Sequence, residues 1–210
     1  MIWFVPALAT VAAELDGFTV EAGRRHTRQG TSNRRVVFER NYLEILWIDD
    51  APTVAAHGLG FAARCDQRPG ACPFGVVLRG ELPAPARADF TRYPLPDAPD
   101  LELWLLTAAL ADPGLPFVAV WPARPDELRG RWPVAWAPPA TMRHPCQAAS
   151  ITAARVTATR VPAIAALAAR DVTWVAGPTP ALDLTLDALD APRTLAGPVG
   201  LAARFSLAAC

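Results

Sequence analysis

The chain reads as an α+β protein built on a recurring strand, helix, three-strand order. Three observations predict this. Apolar, β-branched and aromatic runs of strand length recur along the 210 residues. An alanine-rich helical pattern follows the first such run near either end of the chain. The order β-α-β-β-β is then completed in both places, and each such unit makes an open, curved sheet. A hydrophobic content of 52% is ample for a core shared by one domain or two small fused modules.

Taken in order, Met1-Ile-Trp-Phe-Val5 is a buried strand. Pro6 opens a helix at the position where a missing N–H is harmless, with Leu8, Val11 and Leu15 as its inward stripe. Gly17-Phe-Thr-Val20 begins a second strand, and Val36 to Phe38 and Tyr42 to Ile48 form a hairpin across the polar link Glu39-Arg40-Asn41. Residues Ala55 to Cys65 are expected to be helical, and Phe74 to Leu78, Leu101 to Ala108 and Phe117 to Trp121 to be strands. Prolines at 122, 125, 133, 138, 139 and 145 mark an irregular connection. Beyond it, Ser150 to Thr159 is a strand, Val161 onward an alanine-rich helix with Ile164 and Leu167 inward, and Val172 to Val175, Leu182 to Leu186 and Val199 to Leu207 are strands. Val5-Pro-Ala-Leu8 and Val161-Pro-Ala-Ile164 occupy the same strand-to-helix junction. The expected organisation is a first module with extra strands at 1–121, a connection at 122–147 and a second module at 148–210, joined in one compact domain.

Glu44 stands out in the hairpin. Period-two geometry puts it on the face of Tyr42, Leu46 and Ile48, with Leu43, Ile45 and Trp47 on the other. Both faces are apolar, so both are expected to be covered. A carboxylate there costs several kcal/mol, on the order of other buried-charge penalties, unless it finds a donor, a cation or a hydrated cavity. Glu44 is therefore a candidate site residue.

Charge narrows the function classes. Twenty acidic and twenty basic residues cancel, and every basic residue is Arg. General attraction to nucleic acid or an anionic membrane is not expected. The four cysteines, Cys65, Cys72, Cys146 and Cys210, have no paired spacing and are expected to be reduced thiols in the cytoplasm. No uncharged stretch reaches the roughly 18 to 20 apolar residues of a spanning helix. Gly58-Leu-Gly-Phe-Ala-Ala63 lies in a helical pattern instead of directly after a strand, which argues against dinucleotide binding. There is no phosphate-binding GxxxxGK[ST] loop and no GxSxG elbow.

The polar block around the hairpin supplies the other candidates. His26 titrates near neutrality and sits beside the turn at Gly30, which suits a general base or a substrate donor, or alternatively a loop histidine bound to backbone. Thr31 and Asn33 suit orientation of a carbonyl or hydroxyl, or satisfaction of their own turn. Arg24, Arg25, Arg28, Arg34 and Arg35 surround the block and are equipped to hold a small anion or to form a solvated rim. Trp121 and His144 are candidates for a further wall, or for core packing and a proline turn respectively. His57 matches no motif and is expected at the surface.

The run His26, Gly30-Thr31, Asn33, Tyr42-Leu43-Glu44, with Leu115-Pro-Phe117 through Trp121 and His144-Pro145 later, resembles the glyoxalase-like domain family of the vicinal oxygen chelate superfamily, over most of the chain. The resemblance implies paired βαβββ modules in a cupped, partly closed mixed sheet whose concavity holds a small ligand and often a divalent metal. It also implies metal ligands from a His on a module's first strand and a Glu on its last. Glu44 is the sole ligand-type residue at a matching position. The expected His would precede Met1, and the second module offers Ala153 to Val156 and an acid-free last strand. No cofactor is therefore expected, a divalent metal requiring ligands from outside the present chain start.

The expected function is that of a small-molecule protein with a cavity lined by His26, Thr31, Asn33, Arg35, Glu44, Trp121 and His144. Glu44 or His26 would move a proton next to a carbonyl, in isomerase- or lyase-like chemistry, while Asn33 holds an oxyanion. Glyoxalase I activity itself is not expected. The alternatives are a non-catalytic binder of a small anionic or aromatic ligand and, since this fold pairs modules between chains too, a homodimer.

Overall fold

The computed structural model describes residues 1–122, 139–162, 171–187 and 203–208. Its centre is a curled eight-stranded mixed sheet forming a half-barrel. Strand β1 (Ile2–Phe4) lies parallel to β4 (Tyr42–Ile48), which pairs antiparallel with β3 (Thr31–Val37), and β3 with the short β2 (Arg25–His26). The second half repeats this arrangement with β5 (Phe74–Arg79) parallel to β8 (Phe117–Trp121), then β7 (Ala98–Leu106) and β6 (Phe90–Leu95). The first strands of the two halves, β1 and β5, join them antiparallel. Strand order is therefore β2-β3-β4-β1-β5-β8-β7-β6.

The α+β class and cupped sheet are as the sequence predicts; the partner half comes from elsewhere. Residues 74–121, grouped above with the first module, complete the half-barrel. Residues 150–208 contribute a separate sheet in which β9 (Ser150–Ala158), β10 (Val172–Ala176), β11 (Ala181–Asp187) and β12 (Ala203–Ala208) run in the order β10-β9-β11-β12. Which first strand pairs with which is a long-range choice that a local pattern does not encode. The helix expected to follow Val161 lies outside the described residues.

Alternation along the strands separates two cores. Trp3 and Val5 point to one side of the large sheet and pack with Val36, Phe38, Ile45, Phe74 and Val76 against Val156, Ala158, Leu182, Leu184 and Leu186 of the second sheet. Ile2 and Phe4 point to the other side with Leu46, Leu105, Phe117 and Ala119. That side is covered by two short helices, α1 (Ala51–His57) and α2 (Phe61–Cys65).

Local chemistry explains the remaining departures. The single helix expected over 55–65 is broken because Gly58 and Gly60 adopt left-handed φ of 63° and 69°, Gly58 capping α1. At the other end Asp50 caps α1 through Thr53, and these hydrogen bonds hold its carboxyl below the usual range. After Pro6 the chain makes two 3-10 turns, Leu8–Val11 and Ala13–Leu15, in place of an α-helix. Thr10 there donates its hydroxyl to Ala7 O, which favours the tighter turn, while Val11 and Leu15 are buried as expected. The strand expected from Gly17 is reduced to a bridge between Glu21 and Arg35.

The side chain that locks the two halves together is Arg64, fully buried on α2. It donates to four carbonyls, those of Cys72, Pro113 and Leu115 through Nη1 and of Ala109 through Nη2, at 2.6 to 3.1 Å. Its guanidinium lies over Phe4 of β1 and Phe117 of β8, 5.9 Å from each ring centroid. Desolvation pushes it down to about 10, so it remains charged at neutral pH. Cys65 and Cys72 nearby are free thiols, pushed by burial up to about 12 and about 11. Among the described residues no helix is long and apolar enough to cross a membrane.

Replacing Arg64 by Met removes the side-chain donor of four carbonyls, of which Pro113 O keeps the Cys72 N–H. Urea denaturation of Arg64→Met is expected to show a loss of about 3–5 kcal/mol, the scale for removing one partner of a buried charged network. A loss below about 1 kcal/mol would show that the carbonyls find other donors.

Candidate functional site

The half-barrel encloses a cavity of about 390 Å³. Its apolar floor and walls include Ile2, Leu46, Leu59, Phe61, Val77, Leu105 and Phe117, and its polar groups include Arg24, His26, Asn33, Arg35, Glu44, Tyr93 and Trp121. The hairpin register places Arg35 opposite Glu44 and Asn33 one diagonal step away, all three lining the cavity.

Glu44 is 8% exposed. Its Oε1 accepts from Asn33 Nδ2 at 2.5 Å, and Oε2 has no partner among the described residues. Asn33 is itself fixed on both sides. Its Oδ1 accepts the Arg24 backbone N–H at 2.8 Å, and its own N–H donates to Arg24 O at 2.9 Å. That double contact needs Gly23, whose φ is +66° and where a Cβ would fall 1.9 Å from Asn33 O. Asn33 thus orients Glu44 with one hydrogen of its amide nitrogen, and the second hydrogen of that nitrogen is left over.

Three of the five arginines meet protein acceptors. Arg35 donates Nε and Nη2 to the two carboxylate oxygens of Glu21 at 2.6 and 2.7 Å and stacks over Tyr42. Arg25 lies 3.4 Å from Asp49, and Arg28 donates its backbone N–H to Asp97 and Nη1 to Pro96 O. Burial, assisted by the charge of Glu44, holds the Tyr42 phenol well above its ordinary range. The Met1 amino group donates to Tyr42 O, and burial pushes it down to about 6 against the attraction of Glu44.

His26 lines the cavity, and its cross-strand partner Thr31 is fully buried behind it. Thr31 is not part of the cavity wall; its hydroxyl holds the His26 ring at 3.1 Å. Trp121 lines the cavity and also a second cleft of about 260 Å³ between the sheets, a position it shares with Tyr42 and Val77.

His144 lies elsewhere. Its ring packs on Phe18 and Phe38, Nδ1 accepts the Thr19 N–H and Nε2 donates to Val37 O. It is not among the cavity residues, because its aromatic neighbours belong to the core on the side facing the second sheet. Burial lowers its affinity for a proton, partly offset by the bond to Val37 O.

The sequence reading missed Gln29, Leu59, Phe61 and Tyr93. Tyr93 sits in β6, whose Phe-Thr-Arg-Tyr-Pro-Leu composition is weakly strand-like; Pro94 is tolerated because β6 is an edge strand. The cavity faces of β5 and β8 carry Gly75, Val77, Phe117, Ala119 and Trp121, which offer no metal ligand. Among the described residues no group of three or more His, Cys, Asp or Glu is placed to hold a metal ion. The residues present do not fit a divalent ion, and no step below uses one.

A glyoxalase-like domain profile matches residues 1–172, and the chain belongs to that family, within the vicinal oxygen chelate superfamily. The solved structure of a hypothetical protein from Staphylococcus aureus is similar in fold: 14% identity, 99% of this chain and 97% of that one, TM-score 0.57. No curated protein matches the chain.

Two outcomes test this geometry. Asn33→Asp replaces the donor to Glu44 by a second carboxylate; chemical denaturation is expected to show a loss of about 1–3 kcal/mol at neutral pH. For His144, the folded state disfavours the proton, so the unfolded chain binds it first. Stability is whole above the unfolded pKa of about 6.5 and is lost as pH falls below it, toward the lower folded value. The wild-type denaturation midpoint should fall across that window more steeply than that of His144→Asn; equal slopes would remove His144 as the cause.

Proposed function

We propose that the half-barrel cavity binds a small, partly apolar molecule and that Glu44 acts on it as a general base next to a carbonyl, in isomerase- or lyase-type chemistry. The observation that carries this reading is the carboxylate itself, on a residue that lines the cavity, with Oε1 held by Asn33 and Oε2 without a hydrogen-bond partner among the described residues. An oriented base with one free oxygen is what abstraction of a carbon-bound proton requires. The surrounding Phe61, Phe117 and Leu105 exclude water and suit an apolar body, while His26 offers a second polar contact. The family supports the fold of such a site and leaves its chemistry open.

A second reading, a binder that sequesters its ligand, is favoured by one observation: one of the two Asn33 amide hydrogens is already given to Glu44, which leaves a single donor there for a developing oxyanion. Exchange of carbon-bound protons in deuterium oxide distinguishes the two. With a panel of small hydroxyketones, proton NMR is expected to show exchange catalysed by the wild-type chain, slowed about 10² to 10⁴-fold in Glu44→Gln. Exchange at equal rates in both proteins removes Glu44 as the base. Binding seen by tryptophan fluorescence without exchange assigns the chain to the second reading.

A further inference from the structure

The two edge strands of the half-barrel, β2 and β6, are not hydrogen-bonded to each other as strands. A run of side chains spans the gap. The His26 ring Nδ1 lies 3.1 Å from Thr31 Oγ1, and Thr31 Oγ1 lies 3.0 Å from Gln29 Oε1. Gln29 Nε2 lies 3.3 Å from the Tyr93 hydroxyl, which is 3.4 Å from His57 Nδ1, and His57 Nε2 ends the run 2.8 Å from Arg28 O.

Donor counting gives this run one direction. A backbone carbonyl only accepts, so His57 Nε2 carries a proton and, in the neutral ring, Nδ1 is an acceptor. Tyr93 then donates to His57 and accepts from the Gln29 amide N–H. That turns Gln29 Oε1 toward Thr31, whose hydroxyl donates to it. The Thr31 oxygen is left to accept, so His26 must present Nδ1–H. The remaining nitrogen, Nε2, has no partner among the described residues and belongs to a ring that lines the cavity.

We propose that Gln29, Tyr93 and His57 are positioning residues that hold neutral His26 as its Nδ1–H form, leaving Nε2 as a hydrogen-bond acceptor toward the ligand. This rests on the reading of the cavity as the binding site. It explains why Tyr93 is recruited from the far edge of the sheet: the side chain that closes the barrel also sets the proton on the opposite edge. The other two rings obey the opposite rule. His57 and His144 both donate from Nε2 to a carbonyl, so His26 is expected to be the one histidine of three with its proton on Nδ1.

Long-range proton–nitrogen NMR of the uniformly nitrogen-15-labelled chain near pH 8 reads each ring directly, with His26→Gln, His57→Gln and His144→Asn assigning the signals. The expected spectrum has one Nδ1–H ring, His26, and two Nε2–H rings. In Tyr93→Phe and Gln29→Leu, His26 is expected to shift partly to Nε2–H while the other amide signals keep their dispersion. A wild-type His26 with its proton on Nε2 overturns the inference. A His26 that stays wholly Nδ1–H in both variants overturns it too, and a shift in Gln29→Leu alone overturns the part assigned to Tyr93 and His57. Because no substrate enters the measurement, its failure is separable from that of the proton-exchange test on Glu44.

Discussion

Arg64 is the interaction on which the half-barrel depends. The β-ladder joining its two halves is short, pairing Ile2 with Gly75 and Trp3 with Phe74. So brief a seam cannot by itself hold two four-stranded units at a fixed angle. Arg64 adds the missing constraint from the helical side. It gathers the carbonyl preceding β5, two carbonyls preceding β8 and one from the helix Thr107–Ala111, and lies against Phe4 and Phe117, one ring from each half. No carboxylate hydrogen-bonds to it among the described residues, so its charge is met by carbonyl dipoles and the two rings, with the Asp112 carboxylate acting through space. That is costly to assemble and specific once made, since only a planar fork of donors reaches this set of carbonyls.

The cavity follows from that angle and from strand alternation. Once the sheet is curled, alternate residues of β1 and β4 must face either the second sheet or the hollow. The second sheet takes Trp3, Leu43 and Ile45. Glu44 is sent the other way together with Ile2 and Leu46. A carboxylate on the outer face would be pressed against Val156 and Leu184; on the inner face it has Asn33 and an opening. Coverage of both faces makes the placement of Glu44 obligatory.

What was legible in the sequence was what two or three consecutive elements decide. The Tyr42–Ile48 strand, its hairpin partner and the inward face of Glu44 follow from period two and a short polar link. The illegible parts all depend on residues far apart in the chain. His144 looked like a wall residue because nothing near it announces that Thr19 and Val37 will bind its ring. The partner of the first half was misplaced because two strand sets of similar order were available, and selection between them lies in the β1–β5 contact. Within the second half, Gly75 lets β5 and β8 lie close together, an added Cβ meeting Phe117 at 3.0 Å. That Asn33 orients Glu44 was not legible either, since its diagonal relation to Glu44 emerges only from the register of the hairpin.

The arginine-rich stretch shows how a local charge pattern is reshaped by residues distant in the chain. Five arginines within twelve residues suggest an anion site. Folding returns Glu21, Asp49 and Asp97 to the same neighbourhood, where they engage Arg35, Arg25 and the Arg28 backbone respectively. The block becomes a scaffold: Arg24 offers its backbone to Asn33, Asn33 orients Glu44, and Arg28 offers a carbonyl to His57. Supporting groups thereby share the cavity wall with Glu44 and His26, whose Oε2 and Nε2 have no partner among the described residues. Both are acceptors in the arrangement drawn above. On the proposed reading, these two acceptors suit a molecule that brings hydroxyl hydrogens, with Arg24 and Arg25 on the same cavity wall.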